Sequence, residues 1–364
     1  MPTKHIRHLG ALGLVATVGL VAASVAASAP ATVSRLVTDS AQASSKIAFI
    51  SSPRGTRPQG YGELYVMSAD GSGKQLLTRK ASLDTHAWSP DGRRIVFGRW
   101  HNGNVDVYVM NADGSGQQRL TRNAGLNQGA VWSPDGRKIA FMSTRDGTAD
   151  FEIYVMNADG SRQRRLTHNA GHDVEPAWSP DGRKIAFMSQ RGSQVTASVD
   201  IYVMNADGSG QRDLTPNSPF DGSPSWSPDG KEIAFGRWSS GDSGVYLMNA
   251  DGSGQQRLTR NRGNDGPNGV APAWSPDGQR IAFQRRSLSD VGVMNADGSG
   301  QRKLTERGRQ PLWSPDGRQI AFQSSRDGNL EIYVMNADGS RQRNLTRTPK
   351  ADEYGFAWSP GLKS

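Results

Sequence analysis

Trp132-Ser133-Pro134-Asp135-Gly136 leads into Ile139-Ala140-Phe141, then Ile153-Tyr154-Val155-Met156, Asn157-Ala158-Asp159-Gly160 and Arg165-Leu166-Thr167. This order of short signals recurs along the chain. The Trp-Ser-Pro-Asp-Gly string starts at Trp88, Trp132, Trp178, Trp226, Trp274 and Trp313, with a truncated Trp-Ser-Pro-Gly at Trp358, at spacings of 44, 46, 48, 48, 39 and 45 residues. A period near 45 built from strand-length apolar runs marks a β-propeller rather than a helical solenoid.

Strand type follows from the runs and their breakers. They are short, rich in Ile, Val, Phe and Tyr, and bounded by Gly, Pro and Asp, which reads as strand and not helix. Ser-Pro-Asp-Gly suits a type I turn whose last residue takes positive φ, and Asn-Ala-Asp-Gly suits the same turn with an Asx cap. Within each repeat, strand A holds the Trp, strand B Ile-Ala-Phe, strand C Ile-Tyr-Val-Met and strand D Arg-Leu-Thr. The Ile-Ala/Val-Phe run and the Ala-Asp-Gly-Ser element each occur seven times. The expected fold is all-β: a seven-bladed propeller of four-stranded antiparallel blades. Because blades stack face to face, strands B and C are covered on both sides and need not alternate apolar with polar. The motif tryptophans are expected to pack between blades.

The first repeat begins at Lys46-Ile47-Ala48-Phe49 without a preceding Trp, and the last ends at Phe356-Ala357-Trp358 without a following Ile-Ala-Phe. The C-terminal strand is therefore expected to complete the N-terminal blade and close the ring, which removes exposed sheet edges.

Residues 1–43 differ in kind. Lys4 and Arg7 precede an Ala-, Gly- and Val-rich apolar stretch over 9–29, and Ala41-Gln42-Ala43 offers a small-x-small cleavage site. This predicts a signal peptide at 1–43, with an uncleaved anchor as the alternative reading, and a propeller over 44–364. The expected localisation is exported: periplasmic, cell-wall associated or secreted, without stable membrane insertion once the signal is removed. Cysteine is absent, so neither disulfides nor thiolate chemistry are available.

The chain carries 43 Lys and Arg against 34 Asp and Glu, +9. Removing Lys4, Arg7, Arg35 and Asp39 with the signal leaves 40 against 33, or +7. Much of the basic charge recurs on strand D, at Arg119, Arg165, Arg212, Arg257, Arg302 and Arg343. Edge-strand cations oppose edge-to-edge pairing, so nucleic acid is not an expected partner.

In a four-stranded meander the A–B and C–D turns share one side, which here is near-uniform. The B–C and D–A loops share the other, where residues 51–62, 99–104, 143–150, 190–198 and 237–244 differ between repeats. Binding is expected on this varied side. Trp100 and Trp238, the two tryptophans outside the motif, follow Arg99 and Arg237 at the same offset after strand B. Trp beside Arg is enriched in interface hot spots. Tyr61 joins them as a candidate partner-binding residue, and packing as extra core is the alternative for both Trp.

The D–A approaches are expected to reach the channel mouth. They bring Asp84, His86, His172, Asp173, Glu175, Asp221, Asp265, Asp352 and Glu353. No cofactor is expected, although carboxylates from several blades could hold a hard cation such as Ca2+. Catalytic motifs are nearly absent. Gly241-Asp242-Ser243-Gly244 lacks a positioned His and Asp, and four histidines remain after the signal: His86, His101, His168 and His172.

The repeated Trp-Ser-Pro-Asp-Gly…Ile-Ala-Phe…Ile-Tyr-Val-Met-Asn-Ala-Asp-Gly-Ser…Leu-Thr unit resembles that of the TolB-type propellers, from about Lys46 to the C-terminus. The resemblance implies a periplasmic envelope protein with a protein partner at the propeller. The family's namesake also has an α/β domain ahead of its propeller and six blades, where seven repeats are counted here. Similar repeats occur in propellers of prolyl-oligopeptidase-type enzymes, which need a hydrolase domain. They also occur in oligogalacturonate lyases, which keep a His-rich metal site in the channel. The expected function is a non-enzymatic, monomeric interaction module for protein or envelope polymer. The alternative is a carbohydrate lyase or hydrolase at the channel mouth.

Overall fold

The computed structural model describes residues 45–360 except 55–59, 102, 148–149, 192–197, 217, 219, 240–242, 260–270 and 286–289, and only the backbone of 84, 85 and 285. The signal expected over 1–43, Asp265 and the Asp84 side chain lie outside the described residues. All regular structure described is β-strand, arranged in six antiparallel sheets, five of four strands and one of seven. No helix among the described residues is long and apolar enough to cross a membrane.

Strands fall where the repeat places them. In the second four-stranded sheet, strand A is Asp173–Trp178, B is Lys184–Ser189, C is Asp200–Asn205 and D is Arg212–Asp213. The turns match their composition. Gly182 closes Ser-Pro-Asp-Gly at φ 69° and its N–H donates to Ser179 O at 2.8 Å, while Gly208 closes Asn-Ala-Asp-Gly at φ 83° and donates to Asn205 O. Positive φ at that position is the reason for glycine.

Strand D is shorter than its motif suggests, two residues in most sheets. The threonine of Arg-Leu-Thr explains this. Thr121, Thr167, Thr215, Thr259 and Thr346 each turn the side chain inward, where Oγ1 accepts the strand C N–H at 2.8 to 3.1 Å. A hydroxyl thus stands in for the backbone acceptor, and the ladder ends there.

The seven-stranded sheet contains one long strand, Gln75–Trp88, which pairs over its first half with Tyr61–Ser68 and over its second with Arg94–His101. Its far edge is Ala351–Trp358, antiparallel to Lys46–Pro53 with Ile47 opposite Trp358 and Phe49 opposite Phe356. The first and last described strands therefore pair with each other.

Strand B supplies the densest core: Ile139, Ala140 and Phe141, and their counterparts at 185–187, 233–235, 281–283 and 320–322, have no exposed surface. Clusters form between successive repeats and not within one. Val131, Ala140, Val155 and Leu166 pack on Trp178, Ile185, Phe187 and Met204 of the next sheet. Ile47, Phe49 and Met67 pack in the same way on Ile332, Val334 and Leu345. The motif indoles add a directional bond. Trp132 Nε1 donates to Ala87 O, Trp226 to Ala177 O, Trp274 to Ser225 O, Trp313 to Ala273 O, Trp358 to Leu312 O and Trp88 to Ala357 O, at 3.1 to 3.3 Å. Each acceptor is the residue before the preceding motif tryptophan.

Trp132→Phe should therefore keep the apolar contact and lose the bond, costing about 1 kcal/mol, whereas Trp132→Ala should cost roughly 3–5 kcal/mol. Denaturant unfolding of both variants separates the two contributions, and equal losses would count against a role for the indole N–H.

Candidate functional site

Strand A carries a repeated bulge. Gly129, Glu175, Ser223, Gln310 and Gly355 have φ between 34° and 66°, each three residues before a motif Trp. Pairing registers shift at the same places. The extra residue re-aims the strand, as bulges do, so each sheet can present a different side chain at one level. Beyond this level, the motif tryptophans and their neighbouring prolines line a cavity of about 120 Å3.

Glu175 is the acid among these bulge residues. It accepts from the N–H and hydroxyl of Ser223 on the next sheet, and its Oε2 has no partner among the described residues. Burial pushes its carboxyl up to about 7. His86 lies deeper: it is 2% exposed, its Nε2 is 3.0 Å from Ala48 O, and Nδ1 has no described partner. Burial drives its pKa down to about 4, so the ring is neutral with Nε2 donating. His172 sits half-exposed elsewhere, Nδ1 accepting from Phe151 N at 3.1 Å and Nε2 3.6 Å from Asp150.

Asp173, Asp221 and Glu353 occupy one equivalent position, five residues before a motif Trp, and are fully buried. Each is engaged by side chains around it. Asp221 takes a bidentate pair from Arg237 at 2.7 and 2.8 Å plus Ser218 Oγ. Asp173 takes Arg191 at 3.0 Å. Glu353 takes Thr348 and Ser51, and burial raises it to about 7. Asp352 accepts Leu330 N–H at 2.8 Å, with Arg54 4.0 Å away. Among the described residues no three His, Cys, Asp or Glu gather as a metal site.

The arginine after strand B is itself a repeated device that the sequence reading missed. Arg145, Arg191, Arg237 and Arg326 lie 4.5 to 4.6 Å over the tyrosine of strand C, and also over the phenylalanine of strand B. Lys74 fills the same role over Tyr65 and Phe49. Arg237 thus belongs to a cation–π and ion-pair set, and Arg99 lies 5.5 Å over Tyr108. The arginine recurring two or four places after the strand B Phe was the available signal.

The two extra tryptophans part company. Trp238 is 7% exposed and meets Phe220 edge-on at 4.9 Å inside an inter-sheet cluster. Trp100 is only partly buried. Its indole donates to Gly60 O at 2.7 Å and its ring lies 6.2 Å from Tyr61, so the pair forms a pinned aromatic ledge.

The fold defines a β-propeller built from tandem repeats. The TolB β-propeller domain model matches residues 33–196, 193–307 and 264–363, and the chain belongs to that family. Comparison with curated proteins gives no match. Among solved structures, TolB from Acinetobacter baumannii aligns with TM-score 0.57 at 22% identity, over 88% of this chain and 67% of that one. An oligogalacturonate lyase in complex with manganese aligns with TM-score 0.58 at 15% identity, over 82% and 83%. A puromycin-hydrolysing peptidase from Mycobacterium tuberculosis aligns with TM-score 0.63 at 16% identity over 82% of this chain, which spans about half of that protein. At these identities the likeness is one of fold.

Three buried groups carry a pH signature. Glu175 and Glu353 are raised from 4.5 to about 7, so the folded state holds their protons more tightly than the unfolded chain. That stabilisation is complete below about pH 4.5 and is lost as pH rises through 7. His86, lowered from 6.5 to about 4, acts oppositely: its contribution is present above 6.5 and is lost as pH falls towards 4. Glu175→Gln should flatten the decline between pH 4.5 and 7 and raise stability at pH 8 by about 2 kcal/mol, discounted for partial solvent access. Unfolding free energies across pH 4 to 8 check this, and an unchanged slope would refute it.

Proposed function

We propose that this chain is an exported, monomeric, non-enzymatic interaction module that docks a protein or cell-envelope partner on its loop-varied face. Its framework in this reading is a closed ring of seven blades. The shared strand Gln75–Trp88 supports that count, because it divides the seven-stranded sheet into two four-stranded units. The pairing of Lys46–Pro53 with Ala351–Trp358, and the Trp88 bond to Ala357, support closure. Export rests on the basic and apolar character of residues 1–43.

The observation that carries the docking face is the contrast between the two ends of the sheets. On one side the Asp carboxylates of the Ser-Pro-Asp-Gly and Asn-Ala-Asp-Gly turns accept from groups of their own turn, as Asp159 does from Ser161 N and Oγ. On the other side the loops diverge and hold the Trp100–Tyr61 ledge beside Arg99. A ledge already fixed by the indole bond loses little entropy on docking. For the lyase alternative, the Nε2 proton of His86 is committed to Ala48 O, and His172 is held by Phe151 and Asp150.

Crosslinking capture from native envelope should recover a partner with the wild-type protein and lose at least tenfold of it with Trp100→Ala, with thermal melting showing that the variant folds. Undiminished capture would remove this ledge as the docking site.

A further inference from the structure

Three basic residues near the loop end of the sheets hold a backbone conformation that favours glycine. Lys80, Arg307 and Arg347 have φ of 60°, 53° and 49°, in the left-handed region where a side chain is strained and glycine is not. Elsewhere the chain places glycine in that region, as at Gly182 and Gly208. Each of the three follows, by one or two residues, the threonine that ends a strand D. Each is exposed, and among the described residues its side chain makes no ion pair or hydrogen bond.

They belong to one stretch of the molecule. Arg307 leads into the sheet whose strand D is Arg343–Asn344, and Arg347 leaves that sheet for Ala351–Trp358. Ala351–Trp358 joins the sheet in which Lys80 lies within Gln75–Trp88. Lys350, exposed and likewise unpaired among the described residues, stands beside Arg54, whose N–H donates to its carbonyl at 2.9 Å. All lie at the loop end: Glu306 is opposite Asp290, Thr348 N donates to Glu331 at 2.7 Å, and Ser82 is opposite Tyr61. That last pairing brings the cations up to the Trp100–Tyr61 ledge.

The carboxylates along this stretch are already answered. Arg79 holds Glu63 at 3.1 Å, Lys303 holds Glu306 at 2.7 Å with Asp290 at 3.8 Å, and Arg54 lies 4.0 Å from Asp352. Asp327 accepts from Tyr333 and Asn344 beside Arg326, and Glu331 and Glu353 are buried. Lys80, Arg307, Arg347 and Lys350 are left as positive charge facing solvent. Three basic residues where glycine would be more stable keep charge against the interest of the fold, which is the pattern of a binding surface. On the opposite side Arg162 and Arg341 take positive φ singly, in separate sheets.

We propose, on the reading that the partner docks at the loop end, that these four cations hold an extended acidic segment of a protein partner. Cations set at successive links between sheets suit a chain that carries its acids in series. The aromatic ledge beside Arg99 is a protein hot-spot pairing, which favours a polypeptide over an acidic polysaccharide.

Fluorescence anisotropy with a labelled oligoglutamate peptide ending in tryptophan tests this. The peptide should bind wild type, weaken as salt is raised, and bind several-fold more tightly than oligoglutamate alone, a difference that Trp100→Ala should abolish. A triple variant, Lys80→Gly with Arg307→Gly and Arg347→Gly, should bind either peptide roughly tenfold more weakly while melting no lower than wild type. Arg162→Gly with Arg341→Gly should bind as wild type does. Unweakened binding by the triple variant, a lower melting point for it, or alginate bound as tightly as the tryptophan-ended peptide would overturn the proposal. Envelope capture lost with Trp100→Ala, but peptide binding unmoved in the triple variant, would refute this inference alone. Peptide binding weakened in the triple variant supports it even where Trp100→Ala leaves capture undiminished, an outcome that refutes only the ledge.

Discussion

The structure depends on an indole N–H handed from each repeat to the one before it. The bond runs from a motif Trp to the carbonyl preceding the previous motif Trp, and it joins the two ends of the chain through Trp88 to Ala357. Apolar burial alone is non-directional and would let neighbouring sheets slide. The indole bond fixes their register at the inner strands, where bulged side chains such as Glu175 and Ser223 must meet across two sheets. Trp178 is the described exception, with an indole that finds no acceptor.

Charge in this protein is largely internal business. Arginines after strand B lie over Phe and Tyr and reach buried carboxylates or the clamp glutamines. Those glutamines in turn bond to the preceding repeat: Gln163 Nε2 donates to Leu120 O and Gln255 Nε2 to Leu214 O. Strand D cations such as Arg119 and Arg165 are likewise engaged. Many guanidinium groups are thus partly buried and paired. Low dielectric at the sheet ends strengthens these pairs and makes an unmatched carboxylate conspicuous.

Legibility varied with how local the cause was. The Gly182 and Gly208 turns follow from four consecutive residues and could be read directly. The burial of Ile139, Ala140 and Phe141 follows from an apolar run between breakers. Trp100 and Trp238 share one local sequence, yet one forms a partly exposed ledge and the other joins the core. What separates them is the neighbour each meets, Gly60 and Tyr61 or Phe220, and that neighbour is distant in sequence.

The repeat by itself determined strand order, turn type, the identity of the core and the side on which the sheets vary, because each follows from period and backbone preference over a few residues. Tertiary structure decided which carboxylates are buried beneath arginines, and that Glu175 meets Ser223. Those outcomes depend on side chains brought together across strands and between sheets, where proximity and desolvation are properties of the assembled fold.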